Sequence, residues 1–278
     1  MNSLEFSVCV FLVAGIAGLL GSLTGLGGGV VLTPVLTLLF GVDIRYAIGA
    51  TLISVIATSS GAASAFLKEG FSNIRIAMFL EIATTFGAIA GALLAARISA
   101  SGLATILGCA LLYSAWSSVH HPPEPTQTGE EDALARRLRL SSTYPTAHGL
   151  ERYRVRHVRR GFGVMFGAGM ISGLLGIGSG AFKVIAMDQV MRIPFKVSTT
   201  TSNFMIGVTA AASAGVYLHR GYIDPLLSMP VMLGVTVGSF VGARWLPGAK
   251  TRVLRLIFGL VVGVLALEMI YNGLTGRI

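Results

Sequence analysis

The residue pattern best suited to chemistry in this chain is a cluster of glycines that occurs twice. Gly25–Gly29 and Gly176–Gly180 each separate a long apolar segment from a short one. Glycine lets the backbone leave a helix, and the N–H groups that open the next helix have no acceptor within it. Such N–H groups, at the positive end of the helix dipole, bind anions. The clusters therefore predict an anion site made of backbone amides.

Two other interpretations of these glycines compete with an anion site. A phosphate-binding P-loop requires Gly-Lys-Ser/Thr after the glycines, whereas Val30 and Val31 come after the first cluster. Close helix packing is the other explanation, and it accounts well for Gly-x-x-x-Gly pairs such as Gly87 with Gly91. Each cluster, however, precedes a segment too short to cross a bilayer, which favours a broken helix and a site.

Polar side chains inside the apolar segments are the next candidates, because they are costly in lipid. Thr51, Thr201 and Asn203 carry hydroxyl and amide groups that can donate hydrogen bonds to an oxyanion. Lys183 is the one cation of the two short segments. Three roles stay open for it: neutralising an anion, extending to the membrane surface, or pairing with Asp188.

The predicted substrate-binding residues are Gly25, Gly27, Gly28, Gly29, Gly176, Gly178, Ser179, Gly180, Thr51, Thr201, Asn203 and Lys183.

Two carboxylates, Glu81 and Glu268, lie within apolar segments. Either carboxylate could couple transport to protons, and the alternative is a paired or interfacial carboxylate. The position of Glu268 close to a helix end favours the alternative for that residue. Catalytic and metal-binding motifs such as His-Glu-x-x-His, Cys-x-x-Cys and Gly-x-Ser-x-Gly do not occur in the sequence. We therefore expect neither an enzyme nor a bound metal or cofactor.

The composition is that of a membrane protein. Of 278 residues, 53% are hydrophobic and only 12% are charged, about half the charged share of a soluble domain. The net charge of +9 does not indicate nucleic-acid binding. Eight of the 21 basic residues lie between Arg136 and Arg160, and most others flank apolar runs, as topology determinants do.

Eight apolar segments are long enough to span a bilayer as helices. They are Phe6–Ser22, Tyr46–Leu67, Ile74–Ala96, Leu103–Val119, Phe162–Leu175, Phe195–Leu218, Pro225–Trp245 and Val253–Tyr271. Two further segments, Val30–Phe40 and Ala181–Met191, are too short and predict half-helices or re-entrant segments. Between the halves, 120–160 is rich in Pro, Thr and charge. Its alternating apolar and basic residues predict a small β-hairpin, with a disordered linker as the alternative.

The two halves are an internal repeat. A shift of 151 residues aligns them without a gap, so that Gly25, Gly27 and Gly29 meet Gly176, Gly178 and Gly180. Placing the Arg-rich loop in the cytoplasm satisfies the positive-inside rule best when the halves are inverted. The predicted fold is an all-α polytopic protein of the inner membrane. It has repeats at 1–119 and 161–278, about five helical elements in each, and a cytoplasmic loop at 120–160.

These residues resemble a known family. The run from Gly25 to Leu36 resembles the signature of the TauE/SafE sulfite and organosulfonate exporters, and Gly173–Gly180 resembles that family's second repeat. The resemblance implies transport of sulfite, sulfonates or related anions. Two departures concern the particular substrate: Ser179 replaces a glycine, and Ile185 stands where the first copy has Pro34.

The sequence thus predicts a secondary transporter, an exporter of a small anion bound between the two glycine clusters and moved by alternating access. An anion channel, or a membrane scaffold acting through the Arg-rich loop, are the alternatives. The expected partners are the anion and the lipid bilayer. A coupling ion and a homo-oligomer are left open, and no nucleic acid is expected.

Overall fold

The computed structural model describes residues 3–24, 28–68, 72–119, 130–146, 149–245 and 251–278. Within these ranges the chain forms eleven α-helices, one π-helical turn and one two-stranded sheet. The helices of the first half are α1 (Ser3–Thr24), α2 (Gly29–Phe40), α3 (Ile44–Lys68), α4 (Ile74–Ala95) and α5 (Ala100–Val119).

The central segment and the second half complete the described chain. The central elements are α6 (Ala133–Arg137), β1 (Ser142–Thr146) and β2 (Gly149–Tyr153). The second half has α7 (Val158–Leu175), α8 (Gly180–Ile185) continued by the π turn (Ala186–Val190), α9 (Phe195–His219), α10 (Pro225–Trp245) and α11 (Thr251–Thr275). Under the 151-residue shift found in the sequence, the first residue of α2 aligns with the first residue of α8. The first and last residues of α3 align with the first and last residues of α9.

The chain is a multi-pass membrane protein. Four described helices are both long and apolar enough to cross a bilayer, in α1, α4, α5 and α10. Helices α3, α9 and α11 have 25 residues each, and so reach about 38 Å, but carry more polar residues. Large apolar side chains such as Leu12, Phe86 and Phe240 are exposed on the outer faces, where lipid can cover them.

Helices of the first half pack mainly on helices of the second. The closest pairs are α1 with α10, α4 with α7, α5 with α11, and α3 with α9. Glycines allow these helices to touch through their backbones: Gly87 lies against Phe166, and Gly18 lies against Val235.

Two of the packed pairs are antiparallel. Gly108 of α5 lies against Ala266 of α11, whereas Gly273, later in α11, lies against Ser101 near the start of α5. Helices α3 and α9 also run in opposite directions, because Gly49, near the start of α3, lies against Tyr222, just beyond the end of α9.

The other two pairs are parallel. On α4 and α7, Gly87 lies against Phe166 and Gly91 lies against Met170, so contacts advance together along both helices. The same holds for α1 and α10. Gly234 lies against Phe11, and Gly238, four residues later, lies against Gly15, also four residues later.

The short helix α2 turns back along α1. The rings of Phe6, near the start of α1, and Phe40, at the end of α2, are 5.6 Å apart. The first residue of α2 is preceded by Gly28, which lies against Gly18 within α1. Twelve residues of helix cover about 18 Å, so α2 runs along only part of the bundle.

The predicted hairpin is confirmed. Its strands pair antiparallel from Ser142 with Tyr153 to Thr146 with Gly149, closer to the turn than the alternating residues suggested. Helix α6 was not predicted. It begins after Asp132, whose carboxylate accepts from the N–H of Leu134 and also from that of Val158, the first residue of α7.

The hairpin docks on the end of the bundle where α4 begins. The Nδ2 of Asn73 donates to the carbonyl of Leu140 at 2.8 Å and to the hydroxyl of Tyr153 at 2.6 Å, while its Oδ1 caps α4 through the N–H of Ile76. Burial raises the pKa of the Tyr153 phenol to about 12, although the hydrogen bond from Asn73 lowers it. The phenol therefore stays neutral at physiological pH.

Candidate functional site

Both predicted glycine clusters lie at interruptions between helices. In the first half, α1 ends at Thr24 and α2 begins at Gly29; Gly25 and Gly27 lie outside the described residues. In the second, Gly176 and Gly178 adopt φ values of 68° and 70° after the end of α7. Positive φ is natural for glycine and strained for other residues, so glycine makes this second break possible.

The structure brings the two breaks together. A Cβ on Gly29 would lie 3.5 Å from the carbonyl oxygen of Gly176. Val55 of α3 lies between the breaks: its Cγ2 would be 2.7 Å from a Cβ on Gly29, and its Cγ1 3.3 Å from one on Gly178. Gly29 and Gly178, 149 positions apart in sequence, therefore meet around one side chain, and only glycine leaves this space open.

Neither helix that comes after a break is capped by a side chain. Gly28 precedes α2, and Ser179 precedes α8 in a left-handed conformation with φ 46°, without a capping hydrogen bond. The hydroxyls of Ser172 and Ser179 are buried and have no hydrogen-bond partner among the described residues. Uncapped N–H groups and two unpaired hydroxyls give this region hydrogen-bonding capacity suited to an oxyanion.

The predicted side-chain donors are placed differently from one another. Thr51 is at the first break: its Cγ2 would be 3.0 Å from a Cβ on Gly29, and its hydroxyl accepts from Thr33 of α2. The hydroxyl of Thr201 instead accepts from the N–H of Asn73 at 3.1 Å, on the side of the docked hairpin. Asn203 is half-buried on α9. The structure thus joins Thr51 to the breaks, and ties Thr201 to the loop before α4.

Lys183 is fully buried, and its Nζ donates to the hydroxyl of Thr209 at 2.5 Å. That hydroxyl donates in turn to Oε1 of Glu81 at 2.7 Å. Lys183 is therefore bonded to α9 directly and to α4 through the hydroxyl of Thr209. The extended conformation reaching the membrane surface, one of the three predicted roles, does not occur because the side chain is directed inward.

Sequence reasoning missed two residues of this region, Thr209 and Val55. Thr209 stands out in the sequence only as the repeat counterpart of Thr58. A hydroxyl at a repeated position is a weak signal, because most such hydroxyls bond to their own helix; Thr58 does so, to the carbonyls of Ser54 and Val55. A valine on an apolar helix carries no signal of its own.

A separate pocket of about 660 Å³ lies between the start of α7 and the π turn. Its lining consists of His157, Arg160, Gly163, Val164, Gln189, Val190 and Arg192. None of these residues belongs to either glycine break. Within the described residues, no group of three or more His, Cys, Asp or Glu side chains could hold a metal ion.

Comparison with known proteins places the chain in a family. Residues 10–269 match the model of the family described as "Sulfite exporter TauE/SafE". The chain is 24% identical over 266 residues to probable membrane transporter protein YunE of Bacillus subtilis, covering 93% of this chain and 95% of that one. It is 27% identical over 239 residues to probable membrane transporter protein YdhB of the same organism, covering 85% and 89%. No solved structure is significantly similar. The chain therefore belongs to the TauE/SafE family of membrane transporters.

Proposed function

We propose that this chain is a secondary transporter that exports a small anion, such as sulfite or an organosulfonate, across the inner membrane. The anion binds between the two glycine breaks and crosses by alternating access. The observation that carries the proposal is the contact of the breaks: Gly29 lies near the carbonyl of Gly176, and Val55 lies against both Gly29 and Gly178. Paired helix breaks inside a membrane bundle are a recurring way to bind a charged solute.

The proposed architecture is a pair of inverted repeats, 1–119 and 161–278, joined by a cytoplasmic segment at 120–160. Support comes from helices α5 and α11, which are counterparts under the 151-residue shift and pack antiparallel. A two-fold rotation that exchanges antiparallel neighbours must have its axis across the helices, and therefore in the membrane plane. The same rotation exchanges α1 with α7 and α10 with α4, so it maps the α1–α10 pair onto the α7–α4 pair. Both pairs are parallel, as this mapping requires.

The proposed binding groups are the backbone amides that open α2 and the helical stretch 180–190. We assign Gly28, Gly29, Gly176, Gly178, Ser179 and Gly180 to this site, with Thr51 beside Gly29 and Lys183 one helical turn after Ser179. Gly25 and Gly27 are assigned to the site by their repeat equivalence to Gly176 and Gly178. Thr201 and Asn203 stay proposed contacts of a second conformation, in which the loop before α4 releases the hydroxyl of Thr201.

Flux measurements with purified protein in liposomes test the proposal. Labelled sulfite and labelled isethionate are supplied outside, with the same unlabelled anion inside or absent. A carrier takes up label faster when the unlabelled anion is inside, because a site loaded with anion reorients toward the outside faster than an empty site. We expect this acceleration for at least one of the two anions. Absence of flux with folded protein contradicts transport, and flux without acceleration indicates a channel.

A variant of the central segment separates transport from a scaffold role. Arg136 and Arg137 are exposed on α6, outside the bundle contacts. We expect Arg136→Ala with Arg137→Ala to leave anion exchange unchanged. If the double variant keeps anion exchange but fails to support the protein's function in the cell, the scaffold role of the Arg-rich loop is favoured instead.

A further inference from the structure

Lys183, Thr209 and Glu81 form a buried charge bridge across three helices. Lys183 Nζ donates to Thr209 Oγ1 at 2.5 Å, and this hydroxyl lies 2.7 Å from Glu81 Oε1. Lys183 and Thr209 are fully buried, and Glu81 is 9% exposed. The bridge ties α8, which begins at the second glycine break, to α9 and α4.

The bridge has no equivalent under the internal repeat. Under the 151-residue shift, the positions of Lys183, Thr209 and Glu81 correspond to Leu32, Thr58 and Met232. The first half therefore forms its break and its short helix without a charge. Since burying a charge pair costs more than packing apolar side chains of the same size, the bundle carries these charges for a reason other than fold stability.

Glu81 has an oxygen that the chain leaves unsatisfied. Its Oε1 accepts from Thr209 and, at 3.4 Å, from Thr85, but its Oε2 is buried without a hydrogen-bond partner among the described residues. A buried carboxylate oxygen without a partner is unfavourable. A proton on Oε2 removes that charge without breaking the hydrogen bonds that Oε1 accepts, so this atom is where a proton binds with least change elsewhere.

The bridge is also joined to the proposed anion site. The N–H of Lys183 donates to the carbonyl of Ser179 at 3.0 Å, and the hydroxyl of Ser202, on α9, donates to the carbonyl of Gly180 at 3.3 Å. One turn of helix, about 5 Å, separates Lys183 from the break. In a low-dielectric interior, a change of one charge at the bridge strongly alters the affinity for an anion at this distance.

We propose that Glu81 is the proton-binding site that couples proton movement to anion movement, a proposal that rests on the anion transport proposed above. A proton from water on one side forms an O–H bond with Oε2, and the bridge changes from neutral to a net charge of +1. The anion then binds at the break and restores neutrality. On the other side both leave, and the O–H bond breaks to return the proton to water, so net export is driven by a higher anion concentration in the cytoplasm than outside. Lys183 keeps its proton throughout.

Other charged groups near Glu81 are few in the described chain. On α9, Lys196 and His219 lie at the ends, roughly 20 Å and 15 Å from Thr209 along the helix. On α7, Arg159 and Arg160 are in the first turn. The π turn carries Asp188, a buried carboxylate five residues beyond Lys183. On α4 itself, Arg75 lies six residues, about 9 Å, before Glu81. Asp188 is the carboxylate nearest to Lys183 along the chain, and it serves as a comparison in the experiment.

The experiment measures accumulation of labelled isethionate and, in parallel, of labelled sulfite, in liposomes with an applied pH gradient. The isethionate sulfonate keeps one negative charge throughout, so it carries no proton itself. For one proton with one monoanion, wild type accumulates label on the alkaline side by about tenfold per pH unit. Glu81→Gln loses this accumulation but keeps exchange of labelled for unlabelled anion. Asp188→Asn and the lipid-facing Glu268→Gln keep both.

Thr209→Val and Thr58→Val form a matched pair, because the two hydroxyls occupy equivalent repeat positions. We expect Thr209→Val to lower accumulation and Thr58→Val to leave it unchanged. If wild type exchanges anions but ignores the pH gradient, or if Glu81→Gln accumulates like wild type, the coupling proposal is wrong while anion transport stands.

An infrared titration of the purified protein reads the proton without any flux. We expect a carbonyl band of a protonated carboxyl group that appears on acidification and is missing in Glu81→Gln. Absence of such a band contradicts the proton site. Presence of the band with no flux of either anion contradicts the transport proposal instead, so the two failures are distinguishable.

Discussion

A methyl group added at Gly29 should close part of the space between the two helix breaks. Its ideal position is 2.7 Å from Cγ2 of Val55 and 3.0 Å from Cγ2 of Thr51. Ordinary carbon contacts are about 3.5–4.0 Å, so Val55 must move by about 1 Å. It is 3% exposed, and its other methyl already faces Gly178. Gly29→Ala therefore overpacks a site that has no free direction in which to relax.

The expected size of the effect is the balance of two opposing contributions. Overpacking a core costs about 1–3 kcal/mol. Replacing a helical glycine with alanine recovers about 0.5–1 kcal/mol. With overpacking at the middle of its range, about 2 kcal/mol, the net loss is about 1–1.5 kcal/mol. If it falls on the anion-bound state, exchange slows about 5- to 13-fold. Val55→Ala removes the obstructing methyls, so the double variant should recover most of the rate.

The assay is the initial rate of anion exchange in liposomes, with thermal unfolding of the detergent-solubilised protein in parallel. Gly215→Ala is the matched control, because a Cβ on this α9 glycine meets no atom within 4 Å. It should keep full exchange and unfold at the same or a higher temperature. A wild-type rate for Gly29→Ala, or a double variant whose effect equals the sum of the single effects, would refute the reasoning about Val55.

Three further predictions concern the docked hairpin and the second break. Asn73→Ala removes a helix cap and two hydrogen bonds and should cost about 2–3 kcal/mol, seen as faster proteolysis of the hairpin, whereas Ser72→Ala should not. The folded state holds the proton of Tyr153 more tightly than the unfolded state, so stability present below pH 10 is lost as pH rises from 10 to 12. The unfolding temperature of Tyr153→Phe should lack that decline. Ser179→Gly relieves a positive φ and should raise the unfolding temperature by an amount equivalent to up to about 1 kcal/mol, unless the hydroxyl is bound.

Much of the architecture could be predicted because lipid restricts the conformations open to a backbone. A chain in a membrane must be helical wherever it is exposed to lipid, so apolar segment lengths predict helix positions within a few residues for α4 and α10. The breaks are predictable because glycine clusters stand directly before short apolar segments. The hairpin is located less well, because alternation near Leu138 predicts a strand where the chain forms the end of α6.

The charge bridge could not be predicted in the same way. Glu81 and Thr209 are 128 residues apart, and no local spacing relates them. From sequence, pairing with Asp188, the nearest opposite charge along the chain, is one of three roles open for Lys183. The observed hydroxyl partner depends on how α9 packs on α4, which no local pattern in the sequence specifies.

The pairing of helices across the two halves affects how the protein is made. Helix α1 has its main neighbour in α10, which begins about 200 residues later. At a synthesis rate of about 5–20 residues per second, α1 waits roughly 10–40 s in the bilayer with its small-residue face against lipid. During that time the nascent first half has no stable partner and is exposed to membrane proteases and insertion chaperones. Truncated products ending before α10 should therefore be degraded, whereas the two halves expressed as separate polypeptides should protect each other.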